Sequence, residues 1–182
     1  LQNSYLGYFF TLLCLTVLIN GSNFMDGLNI FVVGYFLIVT YLMFNLSNNF
    51  NLNLDFYLIK IVLAILLVIF VFNFFGLLFL GDGGAYLISF VLGYTLINFS
   101  NDNNEFVSPY FTACMLWYPA YENLFSITRK KFNNKSATKA DKTHLHQLLY
   151  IFFKSNLSYS DKVTNTLTGF TLVFFNFIVL LI

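Results

Sequence analysis

Residues 58–79 run for twenty-two positions with a single charge, Lys60, and a single amide, Asn73. A stretch that long and that apolar has few places to go. Every backbone N–H and C=O in it must be paired, which a helix does within its own length, and a bilayer core about 30 Å thick is crossed by roughly 20 such residues. Residues 163–182 repeat the pattern with no charge at all. Weaker apolar runs at 5–19, 28–45, 84–99 and 107–127 bring the set to about six candidate spans. Composition agrees: 58% of the residues are hydrophobic and 9% are charged, against roughly 25% charged in a soluble domain whose surface must meet water. The expected fold is therefore all-α: a polytopic transmembrane helical bundle, one membrane-embedded domain over 1–182, with membrane lipid as its second solvent.

Several function classes lose their footing at once. The net charge is +1, and no basic stripe interleaved with aromatics offers a nucleic-acid surface. Cys14 and Cys114 each fall inside an apolar run, outside any C-x-x-C or Cys/His cluster, and read as packing residues rather than metal ligands or a disulfide. The first apolar run carries no small-residue cleavage pattern, which argues against a signal peptide. The chain opens on Leu1 rather than Met, so a missing upstream segment is part of the expectation.

Positive charge sets the sidedness. The connection 128–162 holds Arg129, Lys130, Lys131, Lys135, Lys139, Lys142, Lys154 and Lys162. Short loops rich in Lys and Arg stay on the cytoplasmic side, so this one is expected to be cytoplasmic in a plasma (inner) membrane. Counting spans back from it puts 20–27 and 80–83 on the same face and 46–57 and 98–106 on the other.

Three polar clusters then share the cytoplasmic face. In the first, Asn20, Asn23 and Asp26 stand at i, i+3 and i+6, which would align two amides and a carboxylate along one side of a helix. Turn chemistry alone also favours Asn, Asp and Gly between helices. The second, Gly81-Asp82-Gly83-Gly84, pairs a hard oxygen ligand suited to Mg²⁺ with glycines that admit a ligand close to backbone. Its plain alternative is a Gly-rich turn with Asp as a helix cap. The third closes the basic loop with His144, His146 and Gln147. Two imidazoles among many cations can bind phosphate oxygens or move protons, while the cations themselves are accounted for by topology and contact with anionic lipid. Glu122, beside Pro119 in the fifth run, either lines a cavity, belongs to a network toward Arg129, or snorkels at the membrane edge.

Taken in order, these clusters resemble the polyprenyl-phosphate N-acetylhexosamine-1-phosphate transferases of glycosyltransferase family 4. The family's N-x-x-N-x-x-D-G motif is similar to Asn20, Asn23, Asp26 and Gly27. Its G-D-x-G-(S/A) motif is similar to Gly81, Asp82, Gly84 and Ala85, and its H-x-H-(H/Q) ending to His144, His146 and Gln147. Tyr118-Pro119, Glu122, Ser126 and Arg129 follow the order of the glycan-initiating branch, and Gln147 in place of a third histidine departs from the peptidoglycan enzyme. The resemblance implies transfer of N-acetylhexosamine-1-phosphate from a UDP-sugar to undecaprenyl phosphate, releasing UMP, with Mg²⁺ (or Mn²⁺) as cofactor. Such a step initiates O-antigen, lipopolysaccharide or other cell-wall glycans. It implies Asp26, Asp82, His144 and His146 as catalytic, with Asp82 and Asp26 on the metal, and Asn20, Asn23, Gly81, Arg129 and Gln147 as substrate contacts. A homodimer is compatible with all of this.

One departure matters. The family's adjacent-aspartate motif precedes its N-x-x-N-x-x-D-G motif, and no adjacent acidic pair occurs anywhere in this sequence. The expectation is a C-terminal part of a larger transferase, inactive when expressed alone. The competing readings are an inactive relative that binds UDP-sugar or lipid phosphate without turnover, and a transporter-like or purely structural bundle.

Overall fold

The computed structural model describes residues 5–132 and 144–181, and every regular element among them is helical. In chain order these are α1 (Tyr5–Met25), α2 (Phe31–Phe50), α3 (Phe56–Phe74), α4 (Gly81–Asp102), α5 (Pro109–Met115), α6 (Trp117–Phe132), α7 (Leu145–Asn156) and α8 (Asp161–Leu181). Five of them, α1, α2, α3, α4 and α8, are long and apolar enough to cross a membrane. The all-α polytopic bundle expected from hydropathy is the fold found. Lys135, Lys139 and Lys142 of the basic connection lie outside the described residues.

The run 107–127 is not one helix. It breaks at Leu116 into α5 and α6, neither of which reaches the length of the five spans. Pro119 accounts for the break, because it has no N–H to give and its ring would strike the carbonyl four residues earlier. In the first turn of a new helix that missing donor costs nothing. Ser108 caps α5, accepting from the Tyr110 N–H at 3.2 Å, with Pro109 as its first residue. The Tyr35 hydroxyl donates to the Met115 carbonyl at 2.9 Å and pins the break to α2.

Helix α2 is the axis of the molecule. Phe31, Tyr35, Phe36, Val39 and Met43 are fully buried, while α3 turns Ile61, Ile65, Val68 and Phe72 outward, as a helix bathed in lipid does. Cys14 and Cys114 are also exposed, and both are free thiols; they lie on the outer surface of the bundle rather than packed within it. Where helices approach closely, small residues make room. A Cβ on Gly21 would collide with the Pro119 backbone, and one on Gly169 with the Asn29 carbonyl. These contacts seat α6 on α1 and α8 against the start of α2. The Asn123 Nδ2 donates to the Val17 carbonyl at 3.1 Å, so α6 advances in the opposite direction to α1.

One end of the bundle is tied by amides. The Asn29 N–H donates to Asn165 Oδ1 at 2.7 Å, and its Nδ2 to the Thr166 hydroxyl at 3.1 Å. Asn73 accepts from the Ile30 N–H and donates to the Leu78 carbonyl at 2.7 Å. Ile30 sits at φ 59°, a conformation that β-branched residues avoid and that surrounding bonds must hold. The end of α3, the start of α2 and the start of α8 are thereby gathered at the level where α1 ends.

Candidate functional site

At this end the three sequence clusters meet. Helix α1 runs six residues past the apolar run, so Asn20 and Asn23 lie in its last turns and Asp26 in the turn just beyond. The Gly81-Asp82-Gly83-Gly84 string forms the first turn of α4 rather than a loop before it. Gly81 has φ +66°, open to glycine and strained for other residues.

Asp26 and this turn face one another. Burial, countered by a hydrogen bond from the Gly81 backbone and reinforced by the charge of Asp82, pushes the Asp26 carboxyl up to about 6. Asp82 itself is exposed. Two carboxylates in each other's field repel, and a cation between them relieves that repulsion. Among the described residues no group of three or more His, Cys, Asp or Glu forms a metal cage. That is no obstacle for Mg²⁺, which is usually held by one or two carboxylates and completes its shell with water and substrate phosphate. The pair therefore fits Mg²⁺ shared with a phosphorylated substrate.

The histidines belong to a second, buried cluster built on α6. Glu122 is 0% exposed, and both of its oxygens are engaged. His144 Nδ1 lies 2.9 Å from Oε2, His146 Nδ1 3.4 Å from Oε1, and the Tyr118 hydroxyl donates to Oε1 at 3.0 Å. Tyr118 and Glu122 are four apart and share one face of α6. The imidazoles stack on each other with ring centroids 5.5 Å apart; His144 also stacks on Phe24 at 5.1 Å, and Phe31 meets Tyr118 edge-on at 5.1 Å. The second cluster thus leans against the end of α1 and the start of α2, next to Asp26. The contact is close: a Cβ on Gly27 would stand 3.2 Å from His146 Nε2.

Other residues singled out in the sequence are placed differently. Asn20 is exposed and turns its Nδ2 back to the Thr16 carbonyl of its own helix at 2.9 Å. The Asn23 Oδ1 is buried without a hydrogen-bond partner. Gln147 accepts the His144 N–H at 3.3 Å, so it caps the start of α7 and fixes His144 rather than standing open to a ligand. Arg129 lies seven residues beyond Glu122 on α6, its guanidinium 5.3 Å from the centre of the Phe125 ring. Because α6 runs against α1, each further turn carries it away from the Asp26 end.

The amide ties at Asn29, Asn73 and Asn165 escaped sequence reasoning. Their only signal is that they are isolated amides within or beside apolar runs, which is costly unless something holds them.

Residues 1–100 match the family model described as "Glycosyl transferase family 4". The match contains Asn20, Asn23, Asp26, Gly81 and Asp82; His144 and His146 lie beyond it. Neither the curated proteins nor the solved structures yield a match to the chain. The family is one of membrane transferases that pass a phospho-sugar to a prenyl phosphate, in keeping with five apolar helices and a polar cluster at one end of them. By its matched half and by that architecture, the chain belongs to glycosyl transferase family 4.

Proposed function

We propose that this protein transfers N-acetylhexosamine-1-phosphate from a UDP-sugar to undecaprenyl phosphate at the cytoplasmic face of the plasma membrane. A phosphate oxygen of the lipid attacks the β-phosphorus of the UDP-sugar. The Pβ–O bond to the α-phosphate breaks, UMP departs with that oxygen, and the lipid keeps the new diphosphate link to the sugar. The observation that carries the reading is the convergence of Asp26, the Gly81–Asp82 turn and His146 at one end of the bundle.

Each group has work suited to its setting. Exposed Asp82 and half-buried Asp26 are the residues that would hold Mg²⁺, and Mn²⁺ has the same oxygen preference. The metal would neutralise the diphosphate and stabilise the charge that grows on the leaving UMP. The turn between Gly81 and Gly84 leaves backbone open beside Asp82, room a diphosphate needs. The buried His146 Nε2 lies beside Gly27, the residue that follows Asp26. The buried Asn23 Oδ1 supplies an acceptor for a nucleotide or sugar donor group.

The test is release of radiolabelled UMP from UDP-N-acetylglucosamine by the intact protein in membranes containing undecaprenyl phosphate. Release is expected to require Mg²⁺ and to disappear in Asp82→Asn. Release by that variant at the wild-type rate would overturn the proposal. UDP-sugar binding without turnover would favour a binding protein of the same family instead.

A further inference from the structure

The buried cluster around Glu122 has a logic of its own. A carboxylate is acceptor-only, and each imidazole turns its Nδ1 toward it. Both Nδ1 atoms must therefore carry hydrogen, which leaves Nε2 as the outward nitrogen of each ring. Tyr118 completes the clamp by filling the remaining lone pair on Oε1. The stacking of Phe24 on His144 and of His144 on His146 removes the freedom of the rings to turn.

A purely structural cluster would satisfy both ends of each ring. This one does not: His146 is 1% exposed, its Nδ1 is engaged, and its Nε2 is buried with no hydrogen-bond partner among the described residues. Leaving such an atom unpaired is costly. The atom is aimed at Gly27, the glycine that ends the Asn20–Gly27 cluster and follows Asp26 directly. A side chain at position 27 would press on Nε2, with its Cβ 3.2 Å away, and glycine avoids that contact.

We infer that Glu122 is a positioning residue, which holds His144 and His146 by their Nδ1 atoms so that His146 presents Nε2, beside Gly27, to a substrate phosphate oxygen. The inference rests on the proposed transfer for its substrate class, but the geometry it predicts is measurable without turnover. The phosphate could come from the nucleotide-sugar or from the lipid, and in either case one proton bridges Nε2 and the oxygen, held on the ring as Nε2–H or brought in as P–OH.

The protein labelled with ¹⁵N-histidine, in lipid nanodiscs, provides the test. Wild type should show Nδ1 protonated on both rings, and the His146 Nε2 signal should shift on adding one phosphate source. The two arms are UDP-N-acetylglucosamine with Mg²⁺, and nanodiscs prepared with undecaprenyl phosphate. The arm that shifts Nε2 identifies the source, and a shift in neither overturns the inference. Glu122→Gln should scramble the tautomers and weaken the phosphate-induced shift at least tenfold, whereas Glu122→Asp should restore part of both. In turnover by the intact protein, Glu122→Gln should lower kcat far more than it raises KM, as expected where positioning rather than binding is lost.

Unchanged tautomers and an unchanged shift in Glu122→Gln would overturn the assignment. Should that variant fail to fold, as judged by helical circular dichroism, Gly27→Ala takes its place. It leaves the Glu122 clamp intact, and is expected to keep the tautomers and lose the Nε2 shift; a retained shift would overturn the inference. Failure of the proposed transfer itself looks different, since it would show as absent UMP release from a wild type whose His146 still responds to phosphate.

Discussion

Two acidic centres lie side by side at one end of this bundle, and they are built on opposite terms. Glu122 is fully buried, with both oxygens engaged by two imidazoles and a tyrosine hydroxyl. Asp26 and Asp82 stand at an opening, one half-buried and one exposed, each in the field of the other. The Glu122 carboxylate finds all its partners within the protein. The second carries an unmet electrostatic demand that a cation and a phosphate would satisfy. Under the proposed function the contrast separates roles: the closed carboxylate would set geometry, and the open pair would receive ligand.

If that division is right, substitutions at the two centres should fail in different ways. The largest functional effect should come from the open pair. Asp82→Asn is expected to lower Mg²⁺-dependent UMP release by about 100-fold or more while leaving thermal stability nearly unchanged, because Asp82 is exposed. A large drop in melting temperature would blur the distinction between the centres.

The largest stability effect should come from the closed centre. Glu122→Ala leaves two buried imidazoles facing a void, and breaking a buried charged network in this way costs on the order of 3–5 kcal/mol. Thermal unfolding in detergent, followed by circular dichroism, would register it. A cost within measurement error would mean that Glu122 holds nothing in place. The interface behind it makes a smaller claim: Gly21→Ala must push the Pro119 backbone off α1, and overpacking of this kind costs about 1–3 kcal/mol.

Titration sharpens the comparison further. The Asp26 carboxyl is raised to about 6, so its neutral form is the one the fold favours. Its contribution to stability is undiminished below the ordinary carboxylate range, is lost as pH rises toward about 6, and falls no further above that. Infrared difference spectra of wild type against Asp26→Asn should show a protonated carboxyl disappearing near pH 6. Asp82→Asn should move that midpoint down, because a like charge has been removed. An unmoved midpoint would mean that the two carboxylates do not sense each other. The smallest effect belongs to the exposed Lys154–Asp161 pair at 2.7 Å. Lys154→Ala should leave the unfolding midpoint unchanged within measurement error, a baseline for what a charge contact achieves outside the buried cluster.

Five of the six expected spans were legible because they follow from hydropathy; the sixth, 107–127, was not, because Pro119 splits it, and with it goes the count of faces that passed through that run. The clamp was not. It depends on Pro119 starting a new helix, on Gly21 letting that helix press against α1, and on α6 running antiparallel so that Glu122 meets histidines twenty-two and twenty-four residues away. None of these has a local signature. Gln147 shows a second role that motif spacing hides: three residues after His144 it stands where a capping side chain belongs, and the fold uses its Oε1 so. Asn20 was placed by motif spacing on a line with Asp26, yet its amide is taken up by its own helix.

The central claim is that Asp26 and Asp82 form one cation site completed by a substrate phosphate. Electron paramagnetic resonance with Mn²⁺ tests it without requiring turnover. The account predicts one bound Mn²⁺ per protein, tightened by UDP-N-acetylglucosamine, showing ³¹P coupling to the diphosphate, and lost in both Asp26→Asn and Asp82→Asn. Mn²⁺ binding that is indifferent to the nucleotide-sugar and survives both substitutions would contradict it.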